Sequence, residues 1–196
     1  MALGAALRRT RTQVDAGADL LGLIFAAKST RCVEVAQAKS IVDAVRARRP
    51  RPQGWTLPQM KARRADGKPV ETGAESARWL QASQGLLARG AASGGPLCVG
   101  VFVDSTAEEM NRVAAEVGLD LIQLHGAEGW EVAMELHRPA VRVVHMEAGV
   151  SAEQVRAQLR GGLASAVLLD SKGGGTGLPF DWKVGGEVRR LGKHLD

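Results

Sequence analysis

Five short apolar runs constrain this chain more than anything else in it: Leu20–Phe25, Leu97–Val103, Leu119–Leu124, Ala140–Met146 and Ala166–Asp170. None alternates cleanly between apolar and polar residues, which is the pattern of strands buried on both faces of a parallel sheet. Amphipathic helical stretches lie between them. After the first run, Val35, Ala38, Ile41, Val42 and Val45 share one helical face, and after the second, Ala107, Met110, Val113, Ala114 and Val117 repeat that spacing. Thr106 with Glu109, and Ser151 with Gln154, have the spacing of capping boxes that open helices. The later strands start at 97, 119, 140 and 166, intervals that suit βα units with short loops. Ahead of the first run, Leu7, Val14 and Ala18 recur at helical spacing, so Met1–Gln13 reads as a helix. Its arginines and its lack of acids leave the end of a transit peptide as the alternative.

Strands alternating with helices close into a (β/α)₈ barrel or open into a doubly wound sheet. The open fold's dinucleotide fingerprint needs a glycine run that leads from a strand directly into a helix. Gly173–Gly177 follows a strand but leads to Pro179, so the α/β barrel is the expected fold. Residues 49–94 break the rhythm. They are rich in Arg, Gly, Pro and Gln, and only Trp79–Leu80 and Leu86–Leu87 suggest a short helix. They read as a surface insertion, partly disordered, within a single domain spanning 1–196, with a helical hairpin that docks a partner as the alternative. Outside that stretch about 150 residues remain, against roughly 200–250 for a whole barrel. The expectation is therefore an incomplete TIM barrel with about strands two to six present.

Composition excludes several function classes. The two cysteines, Cys32 and Cys98, make neither a disulfide framework nor a zinc site. No apolar run approaches the ~20 residues of a membrane span. Net charge is +5, concentrated in runs such as Arg46, Arg48, Arg49 and Arg51, which read as a solvated basic surface or as attraction for an anionic substrate. Aromatics are 4% with no Tyr, so the stacking platforms of many RNA- and single-strand-binding domains are missing. The expected partner is a small anionic molecule, with no nucleic acid and no membrane. The expected compartment is the cytosol or a plastid stroma.

Barrel chemistry sits at the carboxyl ends of the strands. Lys28–Cys32 follows the first run, with Arg31 offering a planar fork suited to a carboxylate. Gln123 and His125 end the third. Asp170 ends the fifth, ahead of a glycine-rich segment, including Gly174, Gly175 and Gly177, that can close over a substrate. Each has a plainer reading: Asp170 as a turn cap, Arg31 in a surface ion pair, the glycines as a connector. Neither the His/Asp ligand set of metal-dependent sugar-phosphate epimerases nor the strand-end Lys with paired Glu of indole-glycerol-phosphate synthases is visible.

The segments GADLLGLIFAAKSTRCV (17–33), VGVFVDST (99–106), GLDLIQLHG (118–126) and LLDSKGGGTGLPFDW (168–182) resemble, in order, the signature segments of phosphoribosylanthranilate isomerases of tryptophan biosynthesis. The resemblance implies an enzyme without metal or cofactor. It would carry out the Amadori rearrangement of N-(5′-phosphoribosyl)anthranilate to 1-(o-carboxyphenylamino)-1-deoxyribulose 5-phosphate. It assigns the general acid to Asp170, the anthranilate carboxylate to Arg31, and the pocket lining to Gln123 and His125, with Gly174, Gly175 and Gly177 in the substrate loop. Fusion or association with other enzymes of the pathway is also implied. Two departures stand out. The family's base is a Cys in a Lys-Ile-Cys-Gly segment, where this chain has Met1-Ala2-Leu3-Gly4. The phosphate-binding loops that follow the seventh and eighth strands are absent before Asp196. The expectation is a fragment of an isomerase, inactive alone, with a non-catalytic binding or assembly piece as the alternative.

Overall fold

In the computed structural model, which describes residues 3–57, 74–147, 149–171 and 182–191, the apolar runs pair side by side in chain order. The strands are β1 (Leu20–Ile24), β2 (Leu97–Phe102), β3 (Leu121–Leu124), β4 (Ala140–Met146) and β5 (Ala166–Ser171). All four pairings are parallel, in the order β1-β2-β3-β4-β5, as right-handed βα crossovers require of consecutive units. The sheet curls into part of a barrel, so the incomplete (β/α)₈ architecture holds.

The helices are α1 (Leu3–Asp15), α2 (Val35–Arg48), α3 (Ala74–Gly94), α4 (Ala107–Val117), α5 (Ala152–Gln158) and α6 (Trp182–Leu191), with a 3₁₀ turn over Trp130–Met134. The N-terminal stretch is the expected helix. α4 opens where Thr106 accepts the Glu109 N–H, which is half of the expected capping box. α5 has the complete box, with Ser151 and Gln154 each bonding the other's backbone. Gly118 closes α4 in the left-handed region at φ +79°, a conformation that other residues adopt only with strain.

Alternate strand residues divide between two cores. Leu21, Leu23, Cys98, Phe102, Ile122, Leu124 and Ala140 face outward and bury against Val14 of α1, Ile41, Val42 and Val45 of α2, and Met110, Val113 and Val117 of α4. Each such large side chain contributes about 1.5–3 kcal/mol through burial. Leu97, Val99 and Leu121 face the concave side, where Ala91 and Leu87 of α3 cover them.

α3 departs from the expected short helix. It runs for 21 residues, with Trp79 and Leu80 sharing a buried cluster with Val155 and Leu159, and Ala91 reaching the inner face of the sheet. The Ser76 hydroxyl accepts the Gly161 N–H at 2.5 Å. Gly90 and Gly94 leave room for Leu57 and Trp55, since a Cβ on either glycine would overlap those side chains. The fit against the sheet is loose: a cleft of about 490 Å³ remains between α3 and the strands, lined by Leu20, Gly22, Gln84, Leu87, Gln123 and Leu168 among others.

The basic run is also corrected, because it is not simply a solvated surface. Asp120, at the head of β3, is 7% exposed and accepts from Arg46, from both terminal nitrogens of Arg51 at 2.7 Å, and from the Cys98 N–H at 2.7 Å. Arg51 also stacks on Trp55, 3.7 Å from the ring centre. Arg48 pairs with Asp15 and joins α2 to α1. No helix among the described residues is long and apolar enough to cross a membrane.

Candidate active site

Parallel strands present their C-terminal ends together, and alternation decides which side chains reach the concave mouth. Gln123 and His125 lie two residues apart at the end of β3, while His145 pairs with Asp170 in the β4–β5 register. These four converge. His125 Nε2 is 3.4 Å from Asp170 Oδ2, and its Nδ1 is 3.1 Å from the Gln123 amide nitrogen. His145 Nε2 is 3.1 Å from the His125 carbonyl oxygen, and the two imidazoles meet edge to face with centroids 5.2 Å apart.

The loop after His125 is held from behind. Glu128 Oε2 accepts the Gly126 N–H at 2.8 Å and a hydrogen bond from Arg142 Nη1 at 3.4 Å, while Arg142 Nη2 donates to the Gly126 carbonyl at 3.0 Å. Asp104 Oδ1 accepts the Ala127 N–H at 2.7 Å. Gly126 is needed here for closeness rather than for an unusual φ, because a Cβ would lie 2.6 Å from the Asp104 backbone nitrogen. Gly126→Ala should therefore push two loops apart and cost about 1–3 kcal/mol, measurable as a lower urea midpoint. An unchanged midpoint would show that the loops do not lock each other.

Burial lowers the His125 pKa below its ordinary value, and the neighbouring His145 lowers it further. Asp170 and Glu128 act the other way, but burial wins, so the ring is neutral near pH 7. A neutral imidazole can meet Asp170 as hydrogen-bond donor or acceptor according to its tautomer.

Of the residues singled out from sequence, Asp170, Gln123 and His125 are brought together. Arg31 is not in that cluster. It sits exposed in the turn after β1, at the other edge of the sheet, and its guanidinium has no hydrogen bond or ion pair among the described residues. Gly174, Gly175 and Gly177 lie outside the described residues. His145, which the sequence reading did not single out, joins His125 and Asp170, with one potential ligand atom from each within 4.8 Å of the others. His145 was missed inside an apolar run, although the alternation Val141, Val143, His145 carries it to the strand's C-terminal end on the inner face.

Cys98 has no place at this mouth. It lies near the start of β2, 1% exposed on the helix-covered face, where burial pushes its thiol up to about 11. Iodoacetamide at about pH 8 should leave Cys98 unmodified in the native chain and label it only after unfolding, as mass spectrometry would report. Native-state labelling of Cys98 as fast as that of the half-buried Cys32 would contradict this placement.

A curled parallel sheet with titratable side chains gathered at the carboxyl ends of its strands defines part of a (β/α) barrel, with those groups at the end where such barrels place their chemistry. The profile of N-(5′-phosphoribosyl)anthranilate isomerases matches residues 58–191, and the chain belongs to that family. It is 42% identical over 177 residues to a tryptophan biosynthesis protein of Phytophthora nicotianae, covering 86% of this chain and 32% of the relative. It is 39% identical over 98 residues to the N-(5′-phosphoribosyl)anthranilate isomerase of Dehalococcoides mccartyi, covering 45% of each. The isomerase structure from Thermus thermophilus superposes with a TM-score of 0.59 at 22% identity, over 95% of this chain and 68% of that one, and shows the shared fold. The chain spans about a third to somewhat under a half of the length of these two curated relatives.

Proposed function

We propose that residues 20–191 supply the general-acid side of a phosphoribosylanthranilate isomerase, within one barrel domain interrupted over 49–94. The observation that carries this is Asp170 on the concave face at a strand's carboxyl end, against His125 and Gln123 of the family's QLHG segment. Asp170 protonates the furanose oxygen of N-(5′-phosphoribosyl)anthranilate. The ring C–O bond then breaks as the anthranilate nitrogen's lone pair forms C=N. A base on the strands outside residues 20–191 then takes the proton from the neighbouring sugar carbon, giving the enolamine that becomes the ketose. Arg31, exposed and without a partner among the described residues, takes the anthranilate carboxylate. Gly174, Gly175 and Gly177 belong to the loop that closes over the substrate. A related solved isomerase holds reduced 1-(o-carboxyphenylamino)-1-deoxyribulose 5-phosphate, an analogue of the product this reaction would give. The multifunctional tryptophan biosynthesis protein of Phycomyces blakesleeanus, 38% identical over 182 residues, supports work in linkage with other enzymes of the pathway.

The test is growth without tryptophan of a bacterium lacking its own isomerase. A barrel that carries residues 20–191, with its other strands taken from a solved isomerase, should restore growth. A folded barrel of this kind that fails to convert the substrate in vitro would reject the reading.

A further inference from the structure

We propose that His125, His145 and Asp170 form a binding site for a divalent cation of the zinc class. Two imidazoles and one carboxylate suit zinc and its neighbours rather than Mg²⁺ or Ca²⁺, which favour all-oxygen sets. Distances support it. On a tetrahedral ion with bonds of about 2.0–2.2 Å, two ligand atoms lie roughly 3.3–3.5 Å apart. His125 Nε2 and Asp170 Oδ2 already stand at 3.4 Å. His145 contributes the third atom within 4.8 Å; its ring is exposed, and binding through Nε2 would exchange the 3.1 Å contact with the His125 carbonyl oxygen for the ion.

The surroundings also fit. Zinc-binding imidazoles are held through their other nitrogen by an amide, carboxylate or carbonyl. His125 Nδ1 lies 3.1 Å from the Gln123 side-chain amide. With that amide turned to offer its oxygen, Nδ1 carries the proton and Nε2 faces Asp170 with its lone pair free. Among the described residues whose charge reaches His125, Arg142 is the cation, and its pairing with Glu128 offsets its repulsion of a metal ion. Three protein ligands leave a fourth position for water or a substrate oxygen. A metal ion bound there would occupy the Asp170 oxygen that is to carry a proton, so zinc and isomerisation would exclude each other. That consequence rests on the reading of Asp170 as general acid; the binding does not.

The chain, without a histidine tag, is titrated with Co²⁺ and followed by visible absorption. The expected result is one ion per chain with the intense d–d bands of a four- or five-coordinate site, displaced by Zn²⁺ and not by Mg²⁺. Zinc affinity, measured by competition with a chromophoric chelator, should fall at least about 100-fold in His145→Asn and in Asp170→Asn, and about 10–100-fold in Gln123→Ala. It should be unchanged in Cys32→Ser. Circular dichroism separates loss of a ligand from loss of fold, and the three site variants need not fail together. The proposal is overturned if the parent binds no stoichiometric ion, if the folded site variants keep the parent's affinity, or if Cys32→Ser abolishes binding.

Discussion

Asp170→Asn should lower isomerisation by about 10²–10⁴-fold in a barrel that carries residues 20–191, equivalent to roughly 3–5 kcal/mol of barrier. Asn keeps the size of the side chain and can still meet His125, so the fold and the shape of the mouth are retained. What it lacks is an acidic proton to give to the furanose oxygen. The lost interaction belongs to the transition state, so turnover should fall while affinity for the product analogue stays nearly intact. Anthranilate fluorescence under saturating and limiting substrate separates the two quantities. Turnover within a few-fold of the parent would remove Asp170 from the role of acid. A matching loss of analogue affinity would make it a binding group instead.

The second large effect is structural. Asp120→Ala should destabilise the native chain by about 3 kcal/mol, the lower end of the range for breaking a buried ion pair. One carboxylate holds the last turn of α2 through Arg46, the segment after it through Arg51, and β2 through the Cys98 N–H. Its removal leaves the Arg46 and Arg51 side chains, 23% and 18% exposed, without their anion. That residual exposure lets water recover part of the loss, hence the lower end. Against a net stability of ordinarily about 5–15 kcal/mol, the shift is plain in a urea melt. A change below about 1 kcal/mol would show that the guanidiniums find other partners.

The parts of the fold that were legible are those in which one period dominates. β1, β2, β4 and β5 appear as mainly apolar runs, and α2 and α4 as stripes of Ala, Ile, Met and Val. β3 begins two residues later than its apolar run, because Leu119 and Asp120 serve packing and the arginine network before the ladder starts. α3 was obscured by its own buried stripe, which passes through Ser76, Ser83 and Ala91 as well as Leu80 and so lacks the large apolar residues that mark amphipathicity. Its Gly90 and Gly94 are where Leu57 and Trp55 dock. At the site, Asp170 and His125 stood out because a polar residue ending an apolar run is conspicuous. His145 did not, with Met146 prolonging its run. Arg46 and Arg51 were read with the surrounding charges, because nothing local marks Asp120, 74 and 69 positions away, as their partner.

The position of α3 also sets an order of assembly. In a closed ring of eight parallel strands the interior is filled by the strands' own side chains, with no room for a helix. α3 lies over that volume, with Leu87 and Ala91 clustered with Val99 and Leu121. Helix and closed ring therefore compete for one space. Any strands that complete the ring by pairing with the outer edges of β1 and β5 must first displace α3. The cleft beneath it means that comparatively little tight packing has to be undone for that exchange.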